Sequence, residues 1–167
     1  MKNMQTDGSA IELSGVYHSP LGGIVLNING EALTGLRFAG EQTLLEDLDI
    51  QNNHVFETAY RWLGLYFSGC KPDFMPLLAP SGTLFQQLVW RLLLTIPYGQ
   101  TVSYGDIAQR LHCRSAQAVG RAVGRNPVAI MIPCHRVVGA DGSLTGYAYG
   151  LDRKQWLLSH EATNNHE

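Results

Sequence analysis

The sequence predicts an α+β protein: an N-terminal α/β domain built on a small antiparallel sheet, about residues 1–80, and a mostly helical C-terminal domain, about 83–167, containing a helix-turn-helix. Three observations carry this. Short apolar runs punctuated by turn residues fill the first forty positions, helical periodicity dominates after residue 83, and a Pro-rich stretch lies between them.

The strand runs are Val16–His18, Gly23–Asn29 and Leu33–Phe38, separated by Pro20, Gly22 and the Asn29-Gly30 dipeptide. Asn-Gly supplies the left-handed backbone that a two-residue hairpin turn requires, so adjacent antiparallel strands are expected. A polar helix is expected over Glu41–Leu48, and Val55, Tyr60, Leu63, Tyr66 and Phe67 follow a helical period stopped by Gly69. Cys70–Gly82, with Pro72, Pro76 and Pro80, reads as a linker. Thr83 is placed to cap a helix with Phe85, Leu88, Val89, Leu92 and Leu93 on one face, ended by Pro97-Tyr98-Gly99. Ser103–Leu111 and Ser115–Gly124 are two short helices with only His112-Cys113-Arg114 between them. That pattern fits a helix-turn-helix or an ordinary helical hairpin. The second helix is nearly all small residues plus Arg121, and Arg125 follows it. Each internal Gly costs about 1 kcal/mol relative to Ala. Such a cost fits a helix that must approach a flat surface, with arginines at its edges for phosphates; close packing within the core would explain the glycines but not the arginines. Asn126-Pro127 ends this helix, and Val128–Ile132 reads as a buried extended segment. Asp141-Gly142 makes a turn, and Asp152 is placed to cap a last helix bearing Trp156, Leu157 and Leu158 and ending at His160-Glu161.

Of 167 residues, 45% are hydrophobic and 16% charged, which excludes a disordered acidic or basic low-complexity chain. The net charge of -2 is unevenly divided. Residues 1–80 hold 4 Lys+Arg against 9 Asp+Glu, and residues 81–167 hold 8 against 5. An acidic front and an Arg-rich back exclude a uniformly acidic protein. Three cysteines, without C-x-x-C spacing, argue against a disulfide framework. With neither an apolar leader nor a run of about 20 apolar residues, a soluble, cytoplasmic protein without membrane contact is expected.

Cys134-His135 pairs a nucleophile with a base. Side chains at adjacent positions diverge, so His135 would have to act through a turn or a water; the other reading is a buried structural Cys beside an incidental His. Zinc is disfavoured, because His112-Cys113 and Cys134-His135 are adjacent pairs, unlike the usual spaced ligands. The loop Gly146-Tyr147-Ala148-Tyr149-Gly150 is able to wall a pocket for a flat ring or to form an exposed turn.

Taken together, I-P-C-H-R-V-V-G at 132–139, G-Y-A-Y-G at 146–150, R-N-P at 125–127, W-L-L-S-H-E at 156–161, S-Y-G-D-I-A at 103–108 and A-V-G at 118–120 resemble the O6-alkylguanine-DNA alkyltransferases, the methylated-DNA–protein-cysteine methyltransferases. The resemblance is strong over 83–161. It implies that Cys134 accepts the alkyl group, that His135 activates it through a water, and that Glu161 orients His135. It further implies that Tyr104 donates a hydrogen bond to the purine and that Asn126 is the hinge before the active-site turn. Val137, Tyr147, Ala148 and Tyr149 would shape the substrate pocket, with the carbonyls of Cys134 and Val137 taking the guanine amino group and the N–H near Ala148 meeting O6. Arg114, Ser115, Gln117, Ala118, Gly120, Arg121 and Arg125 would meet DNA, double- or single-stranded, in the minor groove, with the alkylated base flipped out. The implied protein is a monomer that reacts once, without a cofactor or a metal site.

Two positions depart from the family pattern. Gln117 stands where relatives commonly carry an Arg that fills the gap left by the flipped base, so slower repair in duplexes than in single strands is expected. Tyr149 stands where many carry Gly, so benzyl-type groups should be disfavoured against methyl. Three rival readings remain: a lesion-binding protein without a nucleophile, a transcription regulator and a cysteine hydrolase. Cys134 argues against the first, the missing dimer surface against the second, and single turnover would separate the third.

Overall fold

The computed structural model describes residues 12–40 and 52–165; the helix expected over Glu41–Leu48 lies outside them. Strands β1 (Glu12–Ser19), β2 (Gly22–Asn29) and β3 (Ala32–Phe38) form an antiparallel sheet in the order β1-β2-β3. Both hairpins close over two residues, pairing Ser19 with Gly22 and Asn29 with Ala32. Gly30 adopts a φ of 60°, the left-handed backbone that the Asn-Gly signal predicted. β1 is longer than its apolar run because the β2 ladder continues along its polar start.

Helix α1 (His54–Phe67) is capped by Asn53, whose side chain accepts from the backbone N–H groups of Val55 and Phe56. It buries Phe56, Trp62, Leu63 and Tyr66 against the sheet side of the core. The Pro-rich stretch that follows is strapped along β3, because Leu33 donates to the Leu77 carbonyl and accepts from the Ala79 N–H. Helix α2 (Leu84–Leu93) is capped by Thr83, as its sequence foretold, and Gln86 completes a capping box. Its buried face is turned one position from the predicted one. Val89, Trp90 and Leu93 are inside, Leu88 is 42% exposed, and the indole N–H of Trp90 donates to the Ala122 carbonyl at 2.9 Å. Partner helix and hydrogen bond together decide which stripe goes in, and apolarity alone does not register them.

Helices α3 (Tyr104–Arg110) and α4 (Ala116–Gly124) pack on each other across a short turn. Ser103 and Ser115 cap them, and His112 in the turn takes a left-handed φ of 51°. The short strands β4 (Val102–Ser103) and β5 (Val137–Val138) pair in parallel, fixing the start of α3 beside residues 134–138.

Two expectations are corrected. Val128–Ile132 is buried but not extended. Only Val128 bridges β3, through Leu36, after which Ile132 N–H bonds back to Val128 and Ile130 has a φ of +68°. A β-branched residue there is strained by about 1–3 kcal/mol, and the turn is held by Asn126 and Leu36. The last helix, α5 (Leu151–Asn164), is capped by Gly150 at φ 97° and not by Asp152, which lies inside its first turn; it also continues past Glu161. One hydrophobic cluster runs from the sheet through α1, α2 and α4 to Leu157 of α5.

Candidate active site

Cys134 begins a short 3-10 turn, Cys134–Arg136, at the end of the buried chain that leaves α4. Asn126 shapes that chain from within: its amide donates to the Ile132 carbonyl at 2.7 Å and accepts from the Val128 N–H at 3.0 Å. Each such bond is worth about 1 kcal/mol net and more if left unmade in the interior. Cys134 retains 7% exposure on a cavity of about 430 Å3, a size within the range of small-molecule sites. One wall is α4, through Gln117, Gly120 and Gly124; the other is the loop Thr145–Tyr149, with Tyr104 and Asn126 completing the lining.

Behind the cysteine lies a buried charge cluster. His135 is fully enclosed, and its Nε2 lies 2.6 Å from Glu161 Oε1. Glu161 also accepts from Tyr66 Oη (2.8 Å), from the Gly99 N–H (3.2 Å) and twice from Arg136, Nε at 2.8 Å and Nη2 at 2.9 Å. Burial pushes the Glu161 carboxyl up, but the hydrogen bonds and charges of His135 and Arg136 outweigh it and hold the group well below the usual carboxylate range. Burial, joined by the Arg136 and Lys154 charges, lowers the His135 pKa against the pull of Glu161, so the imidazole is neutral and Nε2–H donates to the carboxylate. Its Nδ1 is buried without a hydrogen-bond partner, which leaves a lone pair available as a base. Burial pushes the Cys134 thiol up, against the Asn126 amide and the Lys154 charge, so the resting sulfur is protonated.

Lys154 is also fully buried. Its Nζ donates to the carbonyls of Val137 (2.6 Å) and Gly146 (2.8 Å), tying the active-site turn to the aromatic loop from below, and sits 5.9 Å from the centre of the Tyr104 ring. Tyr147 and Tyr149 meet edge to face, with centroids 5.6 Å apart.

The predicted residues therefore fall into two groups. Cys134, Asn126, Tyr104, Tyr147, Ala148, Tyr149, Gln117 and Gly120 line one cavity, with His135 and Glu161 directly behind it and Val137 below. Arg114, Ser115, Arg121 and Arg125 do not line it; they are exposed on α4 and its ends, and Ala118 is half-buried on the same helix. Sequence reasoning missed Arg136, Tyr66 and Lys154. Arg136 is the one Arg in the apolar stretch 127–138, and a charge there signals a buried pair. Lys154, Leu157 and Glu161 share one face of α5 at helical spacing, a pattern that marks both charges as inward.

The glycines of α4 are not required by packing. A Cβ at Gly120 would meet Tyr104 only at 3.8 Å, and one at Gly124 would meet nothing. Among the described residues no three His, Cys, Asp or Glu groups come close enough to hold a metal ion, and no helix is long and apolar enough to cross a membrane.

Comparison with known proteins bears on the family and the fold. Residues 84–163 match the profile of the 6-O-methylguanine DNA methyltransferase DNA-binding domain, and residues 13–77 that of the ribonuclease-like domain of the same enzymes. The methylated-DNA–protein-cysteine methyltransferase of Methanosarcina acetivorans is 44% identical over 151 residues, covering 89% of this chain and 97% of the relative. Its namesake from Mycobacterium tuberculosis is 46% identical over 150 residues, 86% and 88% of the two chains. The crystal structure of the M. tuberculosis O6-methylguanine methyltransferase superposes with a TM-score of 0.81 at 42% identity, covering 93% of this chain and 96% of that one. The M. tuberculosis protein in complex with DNA gives 0.80 at 42% identity, 90% and 93% of the chains. With its profile matches spanning both halves and relatives aligned over nearly their whole length, this chain belongs to the 6-O-methylguanine DNA methyltransferase family.

Proposed function

We propose that this protein repairs alkylated DNA by moving the alkyl group from O6 of guanine, or O4 of thymine, onto Cys134, once per molecule. The observation that carries the reading is a single sulfur on the floor of a base-sized cavity, backed by a neutral His135 held by an ionised Glu161. His135 Nδ1 takes the thiol proton through a water. The thiolate then attacks the alkyl carbon, and the S–C bond forms as the C–O6 bond breaks. The electron pair passes into the purine, where a hydrogen bond from Tyr104 stabilises the developing charge. The thioether has no facile leaving group, so Cys134 is not regenerated. No cofactor enters this chemistry.

The raised thiol pKa supports activation only on demand. A permanently ionised sulfur would be open to stray electrophiles, whereas this one waits for its base. The Val137 carbonyl, which already accepts from Lys154 at 2.6 Å, is where we place the guanine amino group. Asn126 serves as the hinge between α4 and the active-site turn, and the backbone near Ala148 faces O6. α4 enters the minor groove with Ser115, Gln117, Ala118 and Gly120 against the strands and Arg114, Arg121 and Arg125 on phosphates, while the base swings into the cavity. The two bare glycines favour that close approach. We infer a monomer working in the cytoplasm, with 83–167 carrying the chemistry and DNA contact and 1–80 supporting it. Excess methylated duplex tests the reading: one group transferred per molecule and none to Cys134→Ser are expected. Several per molecule would overturn it in favour of a turnover enzyme, and binding without transfer in favour of a lesion sensor.

A further inference from the structure

The aromatic loop that walls the cavity does not stand alone; the N-terminal sheet grips it. The Arg153 guanidinium donates to the Leu21 carbonyl in the β1–β2 turn from both Nε (3.2 Å) and Nη2 (3.1 Å), and to the Tyr149 carbonyl from Nη1 (3.2 Å). Its carbon Cζ lies 4.7 Å from the centre of the Phe38 ring, at the end of β3. Phe38, itself 4% exposed, meets the Tyr149 ring edge to face at 5.3 Å. The Tyr149 carbonyl is thus held by Arg153 of the following helix, which is itself anchored on the β1–β2 turn, and the Tyr149 ring by Phe38 of β3, while the ring's other edge contact, Tyr147, belongs to the same loop.

We propose that Arg153 and Phe38 are specificity-determining positioning residues, through which the N-terminal sheet fixes Tyr149 against the cavity and so limits the size of the alkyl group that reaches Cys134. The assignment rests on the proposed alkyl transfer. Among the described residues that line the nucleophile's cavity, Tyr149 is the ring that meets a ring of the N-terminal sheet. Edge-to-face and cation–π contacts are weak singly, about 0.5–1.5 kcal/mol each. Joined to three charge-assisted hydrogen bonds on one guanidinium they leave the loop a single position. Loosening either residue lets the ring swing outward and admits a planar substituent, whereas a methyl group gains nothing from the added room.

The test is the ratio of transfer rates from O6-benzylguanine and O6-methylguanine in one oligonucleotide. It is measured for the unaltered protein, Arg153→Met and Phe38→Leu, each with Tyr149 and with Tyr149→Gly. Because the ratio is internal to one preparation, loss of some folded protein cancels. The benzyl-to-methyl ratio should rise about tenfold for either substitution when Tyr149 is present, the scale on which pocket size discriminates, and should barely change once Tyr149 is Gly. A ratio that stays constant with Tyr149 present, or rises equally in both backgrounds, overturns the assignment while leaving the alkyl transfer intact. Failure of the unaltered protein to transfer either group overturns the proposed function, and this assignment with it.

Discussion

Glu161 is ionised in the interior because His135, Arg136, Tyr66 and the Gly99 N–H together replace the water it gave up. Breaking a buried pair by removing one partner typically costs about 3–5 kcal/mol, since the other charge is left stranded. Glu161→Gln should therefore destabilise the protein by that order, measured by denaturant unfolding, with Arg136 the stranded charge. A pH dependence follows from the same group. Its carboxyl is held below the unfolded value near 4.3, so the stability it contributes is complete above that pH and is lost as pH falls toward the folded value. The unaltered protein should lose stability between about pH 5 and 3 more steeply than Glu161→Gln; parallel curves would contradict this. At Cys134 the sign is reversed in effect. Burial favours the thiol, so alkylation by iodoacetamide should reach half its maximal rate above about pH 8.5, the ordinary cysteine value. Half-maximal reaction at or below neutrality would mean a resting thiolate. Cys134, His135 and Glu161 were legible as candidates because each sits in a motif that carries the family resemblance. Arg136, Tyr66 and Lys154 were not, because what makes them matter is burial against residues as many as 95 positions away.

Helix α4 carries the clearest element-scale consequence. Gly124 costs helix stability and nothing inside the protein asks for it, so Gly124→Ala should raise stability by up to about 1 kcal/mol. If α4 lies against DNA, the same change should weaken duplex binding; stabilisation with unaltered affinity would contradict the proposed interface. The Asn29-Gly30 turn and the Thr83 cap were readable here because each acts within three residues; Asn53 and the Ser103–Asp106 pair act over the same range and show themselves only in the structure. The errors came where distant partners decide. Trp90 turned α2 inward through Ala122, and Leu36 with Asn126 folded Val128–Ile132 into a turn that its apolar sequence would otherwise extend.

Across the whole molecule, the sheet supports the chemistry at two points: Leu36 braces the chain leading to Cys134, and Arg153 with Phe38 braces the loop across from it. The charge division sets the expected strength of DNA attraction. With Arg114, Arg121 and Arg125 as the phosphate contacts, the slope of log affinity against log salt on duplex DNA should be about -2.7; a slope several times steeper would require a basic surface that residues 81–167 do not supply. The most direct measurement is peptide mass analysis of the protein after one equivalent of methylated duplex. The account predicts the mass of a single methylene added to the peptide that contains Cys134 and to no other. The same mass on the Cys70 or Cys113 peptide, or an unmodified protein beside a repaired base, would contradict it.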